Sequence, residues 1–86
     1  MNYTAQVQVS RKAGIADPEG FTIERALPAL DFRDVTEVTV GKIIWMQVAA
    51  DDETQAAARV RELCDRLLTN PVIEDAEIAI SLREDT

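Results

Sequence analysis

Histidine is absent from this chain, so the side chains left to do chemistry are few. Proton transfer near neutral pH would fall to carboxylates and lysines, which are less suited to it than an imidazole. No Ser–His or Cys–His pair can be assembled, and no metal set of the His/Cys type. The single thiol, Cys64, lies between Val60 and Leu68 on an apolar helical stripe. A reactive thiol needs an exposed, electropositive setting, so Cys64 reads as a small buried hydrophobe. Asp51, Asp52 and Glu53 form an acidic cluster that could hold a divalent cation, but acids also complement a helix start, and we assign them that role. Neither common spacing of a phosphate-binding glycine loop occurs. Lys42, directly after Gly41, is the most open case. Glycine lets a neighbouring backbone come close, and the ammonium can meet a carboxylate or phosphate; on a turn it can equally be a solubilising charge.

Composition narrows the field further. The 86 residues carry sixteen acids against nine bases, a net charge of −7. Nucleic-acid phosphates call for a basic footprint, so that class of partner is excluded. One cysteine precludes an intramolecular disulfide and agrees with a reducing compartment. There is no apolar run of membrane-spanning length and no basic-then-apolar leader, so we expect no membrane association and a cytoplasmic location. The length suits one domain spanning 1–86. A chain this short buries only roughly 60–65% of its unfolded surface, so association with another chain would strengthen a modest core.

The elements that would position these residues follow from periodicity. Residues 2–10 alternate, with Tyr3, Ala5, Val7 and Val9 on one face and Thr4, Gln6 and Gln8 on the other, as in a half-buried strand. Asp17, Pro18 and Glu19 make a helix start: cap, first-turn proline and first-turn acid. Ile23, Ala26, Leu27 and Leu30 continue at helical spacing, which predicts a helix over 18–30. Residues 35–49 are β-rich and interrupted at Gly41 and Lys42, by a hairpin turn or by a glycine bulge in one bent strand. Ile44, Met46 and Val48 would face one side, Ile43 and Trp45 the other. An apolar second face calls for cover, most simply another copy of the chain, which makes Trp45 an interface anchor in preference to a cofactor platform. A second helix opens after residues 51–53, with Ala56, Val60, Leu63, Cys64, Leu67 and Leu68 inward and Arg59, Arg61, Glu62, Asp65 and Arg66 outward. Asn70 and Pro71 stop it. A last strand points Ile78, Ile80 and Leu82 inward, and residues 83–86 should fray. Strand–helix–strand–strand–helix–strand resembles a ferredoxin-like βαββαβ sandwich: α+β, two layers, an antiparallel sheet.

Three stretches, in matching order and spacing, resemble the PurS family, the small subunit of bacterial and archaeal phosphoribosylformylglycinamidine synthase. They are Gly14-Ile15-Ala16-Asp17-Pro18-Glu19-Gly20, then Val40-Gly41-Lys42, then residues 64–75 with Asn70-Pro71-Val72-Ile73-Glu74 intact. Ala13 stands where the family usually has proline, and Ala76 where it usually has tyrosine, which removes any contact that ring would make.

The resemblance implies a non-catalytic accessory subunit that oligomerises through its sheet as a dimer or tetramer. In such a complex a PurQ-type glutaminase releases ammonia, and a PurL-type synthetase uses ATP and magnesium to convert formylglycinamide ribonucleotide (FGAR) to formylglycinamidine ribonucleotide (FGAM). The small subunit bridges the two and assists ammonia transfer. No cofactor is expected on this chain alone. The residues expected to touch a partner or another copy are Gly41, Lys42, Ile43, Trp45, Asn70, Pro71 and Glu74. Two other classes compete. One is a stand-alone, dimeric regulatory module of ferredoxin-like fold that binds a small ligand. The other is an acylphosphatase-like enzyme, whose glycine-rich phosphate loop is too sparse at Arg11-Lys12-Ala13-Gly14.

Overall fold

In the computed structural model, which describes residues 1–83, the alternation at the N-terminus becomes the central strand of a sheet. The elements are β1 (Asn2–Arg11), α1 (Pro18–Ala26), β2 (Lys42–Ala49), α2 (Glu53–Leu63) and β3 (Glu74–Leu82). A 3₁₀ turn (Pro28–Leu30) continues α1, and one π-helical turn (Cys64–Leu68) ends α2. Both pairings are antiparallel, in the order β2-β1-β3. The class is therefore α+β as expected, with an antiparallel sheet that α2 packs against.

The core forms on one face of β1. Ala5, Val7 and Val9 are fully enclosed, and Val60 and Cys64 of α2 and its π turn pack onto them. Tyr3, Ala50 and Ala56 extend this seam toward the start of α2. Ile44, Met46 and Val48 of β2 and Ile78 and Ile80 of β3 flank it, half-buried. The opposite face carries Gln6 between Trp45 and Ala79, and Gln8 between Ile43 and Glu77. Ile43 and Trp45 thus lie on the outer face, as their strand parity predicted, and are exposed.

Six expectations need correction. Residues 35–41 form neither a hairpin nor a bulge within the sheet; only Lys42–Ala49 is strand. The preceding stretch leaves the sheet plane because its amides are claimed by side chains of α1. The first helix ends at Ala26, since Pro28 has no N–H to continue the ladder. α1 is not packed on the sheet: Ile23 and Leu30 are exposed. On α2, Leu63 and Leu67 are also exposed, Leu67 to 74%, because the helix sits over β3 and β1 and leaves the inner face of β2 open on that side. Leu82 keeps its inward parity but lies at the rim, exposed. Fraying does not begin at Arg83, whose N–H donates to the Asn2 carbonyl at 2.9 Å; residues 84–86 lie outside the described range.

The end of α2 is set by Thr69, whose N–H and hydroxyl both donate to the Cys64 carbonyl, at 3.0 and 2.9 Å. That five-residue span is a π turn, one residue wider than an α turn. The molecule is long and flat, 52 × 34 × 15 Å, with a radius of gyration of 16.8 Å. A compact domain of this length would have about 12 Å. Val7→Ala should lower the free energy of unfolding by about 2 kcal/mol in urea titration. Val72→Ala, on an exposed turn, should change it by less than about 0.5 kcal/mol.

Candidate functional site

β1 ends, and β2 and β3 begin, at one edge of the sheet beyond the C-terminal end of α2. Inner-face parity places Val9, Arg11, Lys42 and Glu74 there together. With Glu19, Val40 and Gly41 they line a cleft of about 230 Å³. Two cations and two carboxylates share this small space, and no nucleophile or imidazole joins them.

Two of the four charges are already engaged. Arg11 donates to Asp17 at 2.8 Å. The Glu74 carboxylate accepts the Asn70 N–H at 2.8 Å, while the Asn70 carbonyl accepts the N–H groups of Ile73 and Glu74. The Asn70 side chain takes the Val72 N–H at 3.1 Å. Residues 70–74 are therefore a self-bonded turn at the lip of the cleft, and Asn70 and Pro71 serve first as a chain reversal. Beside it, Lys12 donates its N–H to the Ile73 carbonyl and its ammonium to Asp75 at 2.7 Å. Lys42 and Glu19 have no ion-pair partner among the described residues. An exposed ammonium on a rigid strand start can receive a partner's carboxylate without first breaking an internal pair.

Gly41 passes close over β1: a Cβ there would lie 2.6 Å from the Val9 carbonyl oxygen. The glycine is thus needed for a close backbone approach, as its position before Lys42 suggested, though the neighbour is the chain's own first strand. The structure brings Gly41, Lys42 and Glu74 into one cleft with Asn70 and Pro71 at its margin. Ile43 and Trp45 are not part of it, being on the other face of the sheet.

Sequence reasoning missed the brace behind the cleft. Asp17 caps α1 as expected, accepting the Gly20 N–H at 3.0 Å, but its second oxygen also accepts the Val40 N–H at 2.8 Å. Glu24, about two turns along α1 from Asp17, accepts the Val38 N–H at 2.9 Å. Gly20 has no room for a Cβ, because the Val38 carbonyl oxygen occupies that place. The stretch before β2 is thereby strapped along α1. The two backbone N–H bonds, and then Arg11, hold the Asp17 carboxyl below the usual carboxylate range. The capping aspartate was the only signal in the sequence; its second bond joins residues 23 apart and has no local signature.

The other candidates keep their modest roles. Asp52 caps α2 through the Gln55 N–H, and Gln55 in turn accepts the Asp51 N–H, so that acidic cluster is occupied as a helix start. Cys64 is buried, and burial pushes its thiol pKa up.

A family model described as phosphoribosylformylglycinamidine (FGAM) synthase, PurS, matches residues 4–82 of this chain. The chain belongs to the PurS family. The PurS subunit of FGAM synthase from Methanocaldococcus jannaschii is 42% identical over 78 residues, which cover 91% of this chain and 94% of that protein. The Bacillus subtilis PurS subunit is 34% identical over 73 residues, covering 85% and 86%. Among solved structures, M. jannaschii PurS superposes with a TM-score of 0.83 at 41% identity, covering 95% of this chain and 99% of that one. A chain of PurLQS from Thermotoga maritima gives a TM-score of 0.84 at 31% identity, covering 94% and 99%. The PurS relatives are matched over most of their own length.

Replacing Asp17 tests the brace. The Asp17 pKa is lower folded than unfolded, so its contribution to stability is full above the unfolded value of about 3.9 and is lost as pH falls through the folded value. Hydrogen exchange should show the Val40 amide protected at neutral pH and released only in acid. In Asp17→Ala that protection should be missing at every pH. Gly41→Ala should cost about 1–3 kcal/mol in urea unfolding, because the Val9 backbone cannot yield as a side chain would.

Proposed function

We propose that this PurS-family chain is the small accessory subunit of an FGAM synthase, acting in purine biosynthesis. It joins a PurL-type synthetase to a PurQ-type glutaminase and helps ammonia pass between them. The match to PurS subunits along residues 4–82 carries this reading. The likeness to a chain of the T. maritima PurLQS structure supports the choice of partners. ATP and magnesium belong to the chemistry of the complex, and this chain contributes geometry. Its place of work is the cytoplasm, where that chemistry occurs.

The physical service is enclosure. Ammonia released into water is diluted and protonated, whereas a continuous assembly keeps its effective concentration high at the acceptor. In our proposal Lys42 and the turn at residues 70–74 meet the synthetase. The Lys42 ammonium, without an ion-pair partner among the described residues, supplies a charged contact and the self-bonded turn a rigid neighbour to it. The outer sheet face, with Ile43 and Trp45 exposed, supports self-association through the sheet.

Reconstitution tests the proposal. Adding this chain to its PurL-type and PurQ-type partners should raise glutamine-dependent FGAM formation and leave ammonia-dependent formation unchanged. Equal glutamine-dependent rates with and without it would refute the accessory role. Lys42→Glu should weaken association with the synthetase at least about tenfold in sedimentation, the loss expected for one charged contact.

A further inference from the structure

Opposite charges share the cleft at the end of the sheet without cancelling. Arg11 and Lys42 line it together with Glu19 and Glu74, yet no ion pair joins these four among the described residues. The backbone keeps them apart. Lys42 is paired with Val9 on one side of β1, and Glu74 with Arg11 on the other. Neighbouring strands lie about 4.8 Å apart, so the starts of β2 and β3 stand roughly 10 Å from each other across β1. Arg11, though opposite Glu74, is turned to Asp17 at 2.8 Å. Glu19 enters from the first turn of α1, which the bonds from Asp17 and Glu24 to the Val40 and Val38 amides hold in place.

Each group keeps bonding capacity. Lys42 and Glu19 make no side-chain hydrogen bond or ion pair among the described residues. Arg11 gives Nη1 to Asp17, and its Nε and Nη2 remain as donors. Glu74 takes the Asn70 N–H on one oxygen and has a second to offer. Between the charges the wall is apolar, with Val9 buried and Val40 half-buried. The room is about 230 Å³. Pockets for drug-sized ligands begin at about 300 Å³, so the occupant must be smaller than those. Charge restricts it further. A lone anion would face Glu19 and Glu74, and a lone cation would face Lys42 and Arg11. A ligand with one charge of each sign meets a complement for both.

We propose that this cleft binds a free α-amino acid in its zwitterionic form. The carboxylate of the ligand meets the Lys42 ammonium and the remaining N–H groups of Arg11. Its ammonium meets Glu19 and the second oxygen of Glu74, and its first side-chain carbons rest on Val9 and Val40. These contacts are charge-assisted hydrogen bonds, the stronger class. Arg11, Glu19 and Lys42 are exposed, however, so water competes for each of them and the affinity is modest, with a dissociation constant on the order of 1 mM. Lys42 cannot serve two carboxylates fully at once. A bound amino acid therefore competes with the synthetase contact proposed above; that consequence rests on the docking reading, whereas the binding itself does not.

Titration of the full-length chain, followed through its backbone amide resonances, tests the proposal. The probes are two zwitterions, L-alanine and L-glutamine, and two analogues of alanine that each lack one charge, propionate and ethylammonium. The expected result is saturable movement of the Gly41, Lys42 and Glu74 amides with at least one zwitterion, and binding at least about tenfold weaker for either one-charge analogue, the loss of one charged contact. Lys42→Met and Glu19→Gln should each weaken the zwitterion at least about tenfold as well. Both positions are exposed, and the amide spectrum shows directly that each variant is folded. The proposal is overturned if neither zwitterion gives saturable shifts. It is equally overturned if propionate or ethylammonium binds as tightly as alanine and glutamine, or if both variants bind like the unsubstituted chain. None of these results bears on the accessory role, because they are read on the chain without its partners and reconstitution tests that role separately.

Discussion

The carboxylate of Asp17 is the joint on which the shape depends. One of its oxygens starts α1, and the other holds the Val40 amide of a segment far along the chain. Arg11, the last residue of β1, completes the joint from the sheet side. Three elements thus meet on one side chain. The result directs α1 away from the sheet, and the segment before β2 is taken up by α1 and does not pair as a fourth strand.

From that joint follow both the strength and the incompleteness of the fold. The seam of Ala5, Val7 and Val9 against Val60 and Cys64 is dry and closely packed, and it needs only α2. Everything on the β2 side of that seam is half-covered. Ile23 on α1, Leu63 on α2 and Ile43 and Trp45 on β2 are left exposed. Lys42 lies at the sheet's end, a charge with no ion-pair partner among the described residues, held at a strand start beside a self-bonded turn.

Much of this was legible one residue at a time. Alternation in β1 identified its buried face, the cap at Asp17 located α1, and Asn70 and Pro71 marked the chain reversal that follows α2 and its π turn. The spacing of Ile23, Ala26, Leu27 and Leu30 predicts a helix, but periodicity cannot say against what its apolar side would pack. Ile43 and Trp45 were placed on the outer face by parity alone. The grouping of Lys42 with Glu74 could not be seen from spacing, because it arises where three strands separated by two helices come to one edge.

What the sequence determined by itself is the set of local preferences: strand and helix positions, their apolar faces, the helix caps, the absence of imidazole chemistry, and the family signature in residues 14–20, 40–42 and 64–75. These depend on neighbours within a few positions, so composition and period suffice to reveal them. Tertiary structure alone decided that residues 38–40 lie along α1, that the cleft unites Arg11, Lys42 and Glu74, and that α2 leaves the inner face of β2 partly open. Each of those outcomes turns on hydrogen bonds and contacts between residues distant in the chain, where one carboxylate oxygen chooses among many amides, and no local pattern encodes that choice.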